Sequence, residues 1–207
     1  MEIKNRDRFL RFISLCAGNI GSLLNLSRIA NDCSITVPTA KSWLSVLQAS
    51  YICFTLQPHS SNFRKRLVKT PKLYFYDVGL ACRLLGIQEE AQVNTHPLRG
   101  NLFENLVVAD VLKSKLNQGL DSQMFFWRNR AGFEIDLIMD KGNQLHPIEI
   151  KSGETLHTSW LQTLGKWAEL ANGSSERPTL CYGGNWSGIR SEISVTPWHL
   201  LSKKLST

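Results

Sequence analysis

Between residues 124 and 151, three strand-like segments follow one another too closely for a helix to separate them. They are Met124–Trp127, Phe133–Asp140 and Gln144–Lys151, each rich in branched and aromatic residues. Helical periodicity brackets them on both sides, at Asn101–Leu116 and at Thr158–Ala171, where Trp160, Leu161, Leu164 and Trp167 form one face. Late strands are expected at Thr179–Tyr182 and Glu192–Val195. From Leu98 onward the chain therefore reads as an α/β domain.

The first half has a different pattern. Arg6–Ala17 reads as a helix with Phe9, Leu10, Phe12, Ile13 and Cys16 on its apolar side, and Leu24–Asn31 as a second, short one. Thr36 suits an N-cap and Pro38 a first helical turn, so a third helix runs from Pro38 to Gln48 with Ala40, Trp43, Leu44 and Leu47 at helical spacing. Two short helices joined by a tight turn make a helix-turn-helix. Strands at Tyr51–Leu56 and Lys72–Tyr76, separated by a basic loop from Pro58 to Arg66, would supply a wing, and Asp77 caps a following helix. Residues 87–97 carry no periodic signal and are taken as the linker, which divides the chain into 1–90 and 97–207. The expected class is mixed α/β (α+β).

The net charge of +7 is uneven. Residues 1–100 hold 13 Lys and Arg against 6 Asp and Glu, whereas residues 101–207 hold 11 of each. A basic module beside a neutral one points to a polyanion, and to double-stranded DNA as partner. Candidate phosphate contacts are Lys41 on the third helix, Arg64, Lys65, Arg66 and Lys69 in the loop, and Arg128 and Arg130 after the first central strand. The same charges also fit an ordinary solvated surface. No apolar run reaches the ~18–20 residues that span a bilayer. The first residues are charged, with no apolar signal-peptide core. The five cysteines are scattered and never form C-x-x-C, which argues against zinc and disulfide scaffolds and fits a reducing, cytoplasmic setting. The five histidines show no ligand spacing.

The sharpest chemical signal is Glu149-Ile150-Lys151. In a strand, residues two apart share a face, so Glu149 and Lys151 point together while Ile148 and Ile150 point to the core. On the preceding strand Glu134 and Asp136 alternate with Ile135, Leu137 and Met139. A two-residue turn at Lys141-Gly142 would set Asp136 opposite Pro147, diagonal to Glu149, and Glu134 opposite Glu149. Two converging carboxylates suit Mg2+ or Mn2+. Glu104 lies on an apolar helical stripe with Val108, Val111 and Leu112, where a carboxylate needs compensation that a metal could supply. Lys151 could hold a water or offset charge on phosphorus. The spacing equally fits the wet face of an amphipathic hairpin.

Several ordered segments resemble the DUF4143 domain: Lys69–Ala81, Gly100–Asn105, Phe126–Arg130, Glu134–Asp136 and Pro147–Ser152, within residues 5–175. That domain is the usual C-terminal part of bacterial and archaeal AAA-type ATPases. The resemblance implies an N-terminal winged helix-turn-helix followed by an α/β domain like the PD-(D/E)xK restriction endonucleases. In that pattern Glu104 is the helix acid, Asp136 the first strand acid, and Glu149 with Lys151 the E-x-K pair. It also implies an upstream ATPase domain. The chain has no G-x-x-x-x-G-K-[ST] loop, so it is expected to be the C-terminal portion of a longer protein, without ATPase activity of its own. The expected function is that of a magnesium-dependent DNA phosphodiesterase module. The alternative is a non-catalytic DNA- or protein-interaction module of the ATPase.

Overall fold

A computed structural model describes residues 6–59, 68–142, 144–171 and 175–205. The chain is mixed α/β and divides into two compact units. The first comprises Met1–Thr55 and Pro71–Asn105; the second comprises Leu56–Thr70 and Leu106–Thr207.

In the first unit, α1 (Arg6–Ala17), α2 (Leu26–Asp32) and α3 (Val37–Ala49) form where periodicity placed them. Local chemistry sets their ends. Asn25 caps α2 by accepting from Arg28 N, and Thr36 caps α3 by accepting from Thr39 N. Ser34 takes a φ of +52° in the turn between them. Phe12, Cys16, Ile29, Ala40, Trp43 and Leu47 meet in the core, and Trp43 takes Phe9 and Phe12 edge-on at 5.3 and 5.6 Å. Strand β2 (Lys72–Phe75) lies beside β1 (Cys53–Pro58), the pair expected as a wing. Asp77 caps α4 (Val78–Leu84) through Leu80 N, as expected. The segment read as linker contains α5 (Glu90–Thr95), and the first unit runs on into α6 (Arg99–Asn117) as far as Asn105.

The end of β1 and the described residues 68–70 belong to the second unit. There Gln57 and Pro58 pair in parallel with Phe125 and Phe126 of β3 (Met124–Arg128). Strand order continues through β4 (Glu134–Asp140), β5 (Leu145–Lys151), β6 (Thr179–Tyr182), β8 (Ile193–Pro197) and β7 (Gly188–Arg190). Neighbours β3–β4–β5 are antiparallel, and β5–β6–β8 are parallel. Parallel neighbours need a crossover, and α7 (Thr158–Ala171) provides it between β5 and β6. Its Leu161, Leu164 and Trp167 pack on Trp127, Ile135, Ile138 and Leu180, with Trp127 and Trp167 edge-on at 5.1 Å. Helix α8 (Trp198–Leu205) follows β8. Neither β7 nor α8 was expected, because three residues are too few for alternation and α8 is short.

The β4–β5 hairpin differs from expectation in one decisive respect. Asp140 pairs with Leu145, so residues 141–144 form the connection rather than Lys141-Gly142 alone. Gly142 sits there at φ +81°, and Asp140 Oδ1 accepts its N–H at 2.8 Å. The register moves by two residues as a result. Pro147 faces Ile138 instead of Asp136. A second irregularity lies on the other side of β4. Phe125 faces Ile138 but Trp127 faces Ile135, so two steps on β3 match three on β4, and the extra residue falls at Asp136–Leu137.

Candidate active site

The paired residues Leu137 and Ile148 put Asp136 and Glu149 one step further along the same ladder. The Ile150 N–H donates to Asp136 Oδ2 at 2.9 Å, which lays the Asp136 carboxylate against the β5 backbone between Glu149 and Lys151. Lys151 Nζ donates to Glu149 Oε1 at 2.6 Å. Glu134 does not face Glu149. It lies opposite Arg128 on β3 and forms an ion pair with it at 2.7 Å. The opposition of Glu134 and Glu149 implied by the shorter turn is therefore absent, and Asp136 takes the place opposite Glu149.

The face carrying Glu149 is not wet. Glu149 is only 5% exposed, and Ile148 and Ile150 are buried as well. Glu149 and Lys151 align with Leu180 and Tyr182 of β6, which belong to the core under α7. A carboxylate this deeply placed requires charge compensation, and Lys151 supplies it. The Cys181 thiol, opposite Ile150, is pushed well above the ordinary thiol range by burial, and the nearby carboxylates of Asp136 and Asp110 add to the shift.

Tight packing fixes the turn after Lys151. Gly183 N–H donates to both Lys151 O and Gly153 O at 3.1 Å. A Cβ on Gly183 would stand 2.8 Å from Ser152 O, and one on Gly153 would meet the Trp160 ring at 2.7 Å.

Glu104 belongs to the first unit, Asp136, Glu149 and Lys151 to the second. Its carboxylate accepts at Oε1 from Lys72 Nζ at 2.8 Å and from Tyr74 Oη at 2.5 Å. Lys72 and Tyr74 alternate on β2, so one face of that strand delivers both donors. Lys72 is 2% exposed and Tyr74 is fully buried. The compensation that the apolar stripe demanded thus comes from β2 itself. The next residue, Asn105, accepts from Phe75 N at 2.7 Å and donates to Phe75 O at 2.9 Å, clamping the same strand. Sequence reading missed both devices. The available signal was a lysine inside an otherwise apolar strand.

Among the basic candidates, Lys41 is exposed on α3 and is its one charged residue. Arg64, Lys65 and Arg66 lie outside the described residues. Lys69 is exposed, and the preceding Val68 donates its N–H to Arg128 O at 3.2 Å. Arg130 is exposed beyond Arg128. All five cysteines are free thiols.

Comparison with known proteins separates the halves. Residues 1–91 match the model of DUF8612 and residues 99–201 that of DUF4143, both domains of unknown function. Residues 99–201 are a DUF4143 domain. The Lys69–Ala81 segment falls in the DUF8612 range, while Glu104, Asp136, Glu149 and Lys151 all lie in the DUF4143 range. Two uncharacterized proteins, Rv2008c of Mycobacterium tuberculosis and Mb2031c of Mycobacterium bovis, are each 28% identical over 135 residues, 65% of this chain. The matched region spans 30% of those relatives' length. No helix among the described residues is long and apolar enough to cross a membrane.

Proposed function

We propose that the DUF4143 domain is a nuclease-type module that acts on double-stranded DNA with a divalent cation. The observation that carries the reading is the convergence at β4–β5: Asp136 is bonded to the main chain between a buried Glu149 and its partner Lys151. An amphipathic hairpin has no need to bury a carboxylate in this way. The donor chemistry fits magnesium or manganese, which are held by one or two carboxylates together with waters and substrate phosphate. Asp136 and Glu149 would hold the ion, which when bound supplies a Lewis acid and an activated water. Lys151 would offset charge at the reacting phosphate. Glu104, the helix acid that the family resemblance implies, lies in the first unit, where Lys72 and Tyr74 fix its carboxylate. In this reading the module serves an AAA-type ATPase in the reducing cytoplasm, where five free thiols persist.

A second reading, a non-catalytic DNA- or protein-interaction module of that ATPase, is favoured by one observation. Among the described residues, no group of three or more His, Cys, Asp and Glu side chains is arranged to hold a metal ion. A cleavage assay on supercoiled and linear DNA with magnesium or manganese separates the two. The nuclease reading expects cation-dependent nicking by wild type and none by Lys151→Met. Absence of cleavage with retained DNA binding replaces it with the second.

A further inference from the structure

Resting on the reading that DNA is the ligand, we infer that the second unit, and not the helix-turn-helix, holds the duplex, through a phosphate-binding patch of Lys69, Arg128 and Arg130. Three observations converge. The first is that, among the described residues, the first unit has no greater positive charge than the second: eight Lys and Arg against six Asp and Glu in the first, and twelve against ten in the second.

The second observation concerns α3. A helix that reads a major groove presents several basic and amide side chains to phosphates and base edges. Lys41 is the one charged residue of α3, and Trp43, Leu44 and Leu47 are buried in the core. Such a helix offers a phosphate backbone little attraction.

The third is geometric. The Val68 N–H bond to Arg128 O fixes Lys69 beside the end of β3, from which Arg130 projects exposed at the turn into β4. Glu134 pairs with Arg128, and the exposed Lys69 and Arg130 give the patch a net positive charge. The strand that starts at this patch carries Asp136 two residues later. Phosphates held here would lie along the strand that bears the proposed cation ligand.

Binding of the full chain to a fluorescent 30-base-pair DNA duplex tests this, in EDTA so that cleavage plays no part, over a series of salt concentrations. Lys69→Glu with Arg130→Glu is expected to weaken binding at least tenfold and to flatten the salt dependence by about two phosphate contacts. Arg28→Glu with Arg83→Glu, an equal charge change on exposed residues of the first unit, is expected to leave it unchanged. A loss confined to Lys41→Glu overturns the inference and returns the contact to α3. No binding by wild type at low salt, or tighter binding of an RNA duplex, overturns it too. Failure of the nuclease reading looks different: binding that responds to Lys69→Glu and Arg130→Glu but no cleavage with any cation. A thermal melt of each variant confirms folding.

Discussion

The Ile150 N–H donates to Asp136 Oδ2 at 2.9 Å, so the acid of β4 is tied to the backbone that separates Glu149 from Lys151. If these carboxylates take up a cation, ligand binding stabilises the fold by mass action. Manganese is expected to raise the melting temperature of wild type, and Asp136→Ala or Glu149→Ala is expected to abolish that rise. Lys151→Met should keep it. Thermal melts with and without the ion check this, and an unresponsive wild type rules out the cation site.

Lys72 and Glu104 form a buried ion pair at 2.8 Å, with side chains 3% and 13% exposed. Removing one member strands a buried charge, which costs about 3–5 kcal/mol, whereas removing both does not. Lys72→Met should therefore lower the unfolding free energy by that amount, and Lys72→Met with Glu104→Leu should recover most of it. Urea denaturation of the two single variants and the double variant closes the cycle. Additive losses would mean that the pair has no coupling.

Asp140 accepts from His59 Nε2 at 3.0 Å and from Gly142 N, and these bonds hold its carboxyl below the ordinary range, with the His59 bond the larger cause. An acid with a depressed folded value contributes stability above its unfolded pKa and loses it as pH falls through the folded one. Asp140→Asn is thus expected to flatten the decline in stability below about pH 4. His146 has the opposite sign. Burial lowers its value despite Glu176 nearby, so the unfolded chain takes up the proton first and stability falls as pH drops below 6.5. His146→Gln should remove that part of the slope. Denaturation midpoints from pH 7.5 to pH 3 resolve both effects.

Gly183 packs against the turn that follows Lys151, with no room for a side chain. Gly183→Ala forces the Ser152 backbone to move and is expected to destabilise by about 1–3 kcal/mol. It should also reduce any cleavage more than Gly165→Ala, whose added Cβ meets nothing. Equal effects of the two substitutions would show that the turn does not position Lys151.

Cys16, Cys33, Cys53 and Cys181 are buried, and burial raises each thiol, Cys53 to about 12. Native protein at pH 8 is expected to react with a thiol reagent only at the partly exposed Cys82, and slowly, since burial raises that thiol as well. All five should react in denaturant. Prompt labelling of more than one thiol in the native state contradicts this packing.

What the sequence by itself determined is local. Helices α1 and α7 and strand β6 occupy the expected residues, and Thr36 and Asp77 cap the helices they precede. These features depend on periodicity and on hydrogen bonds three residues long, and neighbouring side chains suffice to specify them. The identities of Asp136, Glu149 and Lys151 as a cluster were also legible, because strand alternation and the motif spacing coincide. Tertiary structure decided the rest. The four-residue connection and the extra residue in β4 reset the register, since several turn lengths are compatible with Lys141-Gly142 and only packing on both faces selects among them. Glu104 found its cation on a strand 32 residues earlier, and Gln57, Pro58, His59 and Val68 joined the second unit through main-chain bonds to β3. The burial of Glu149 came from α7 covering its face. Each of these depends on contacts between distant segments, for which spacing along the chain carries no signal.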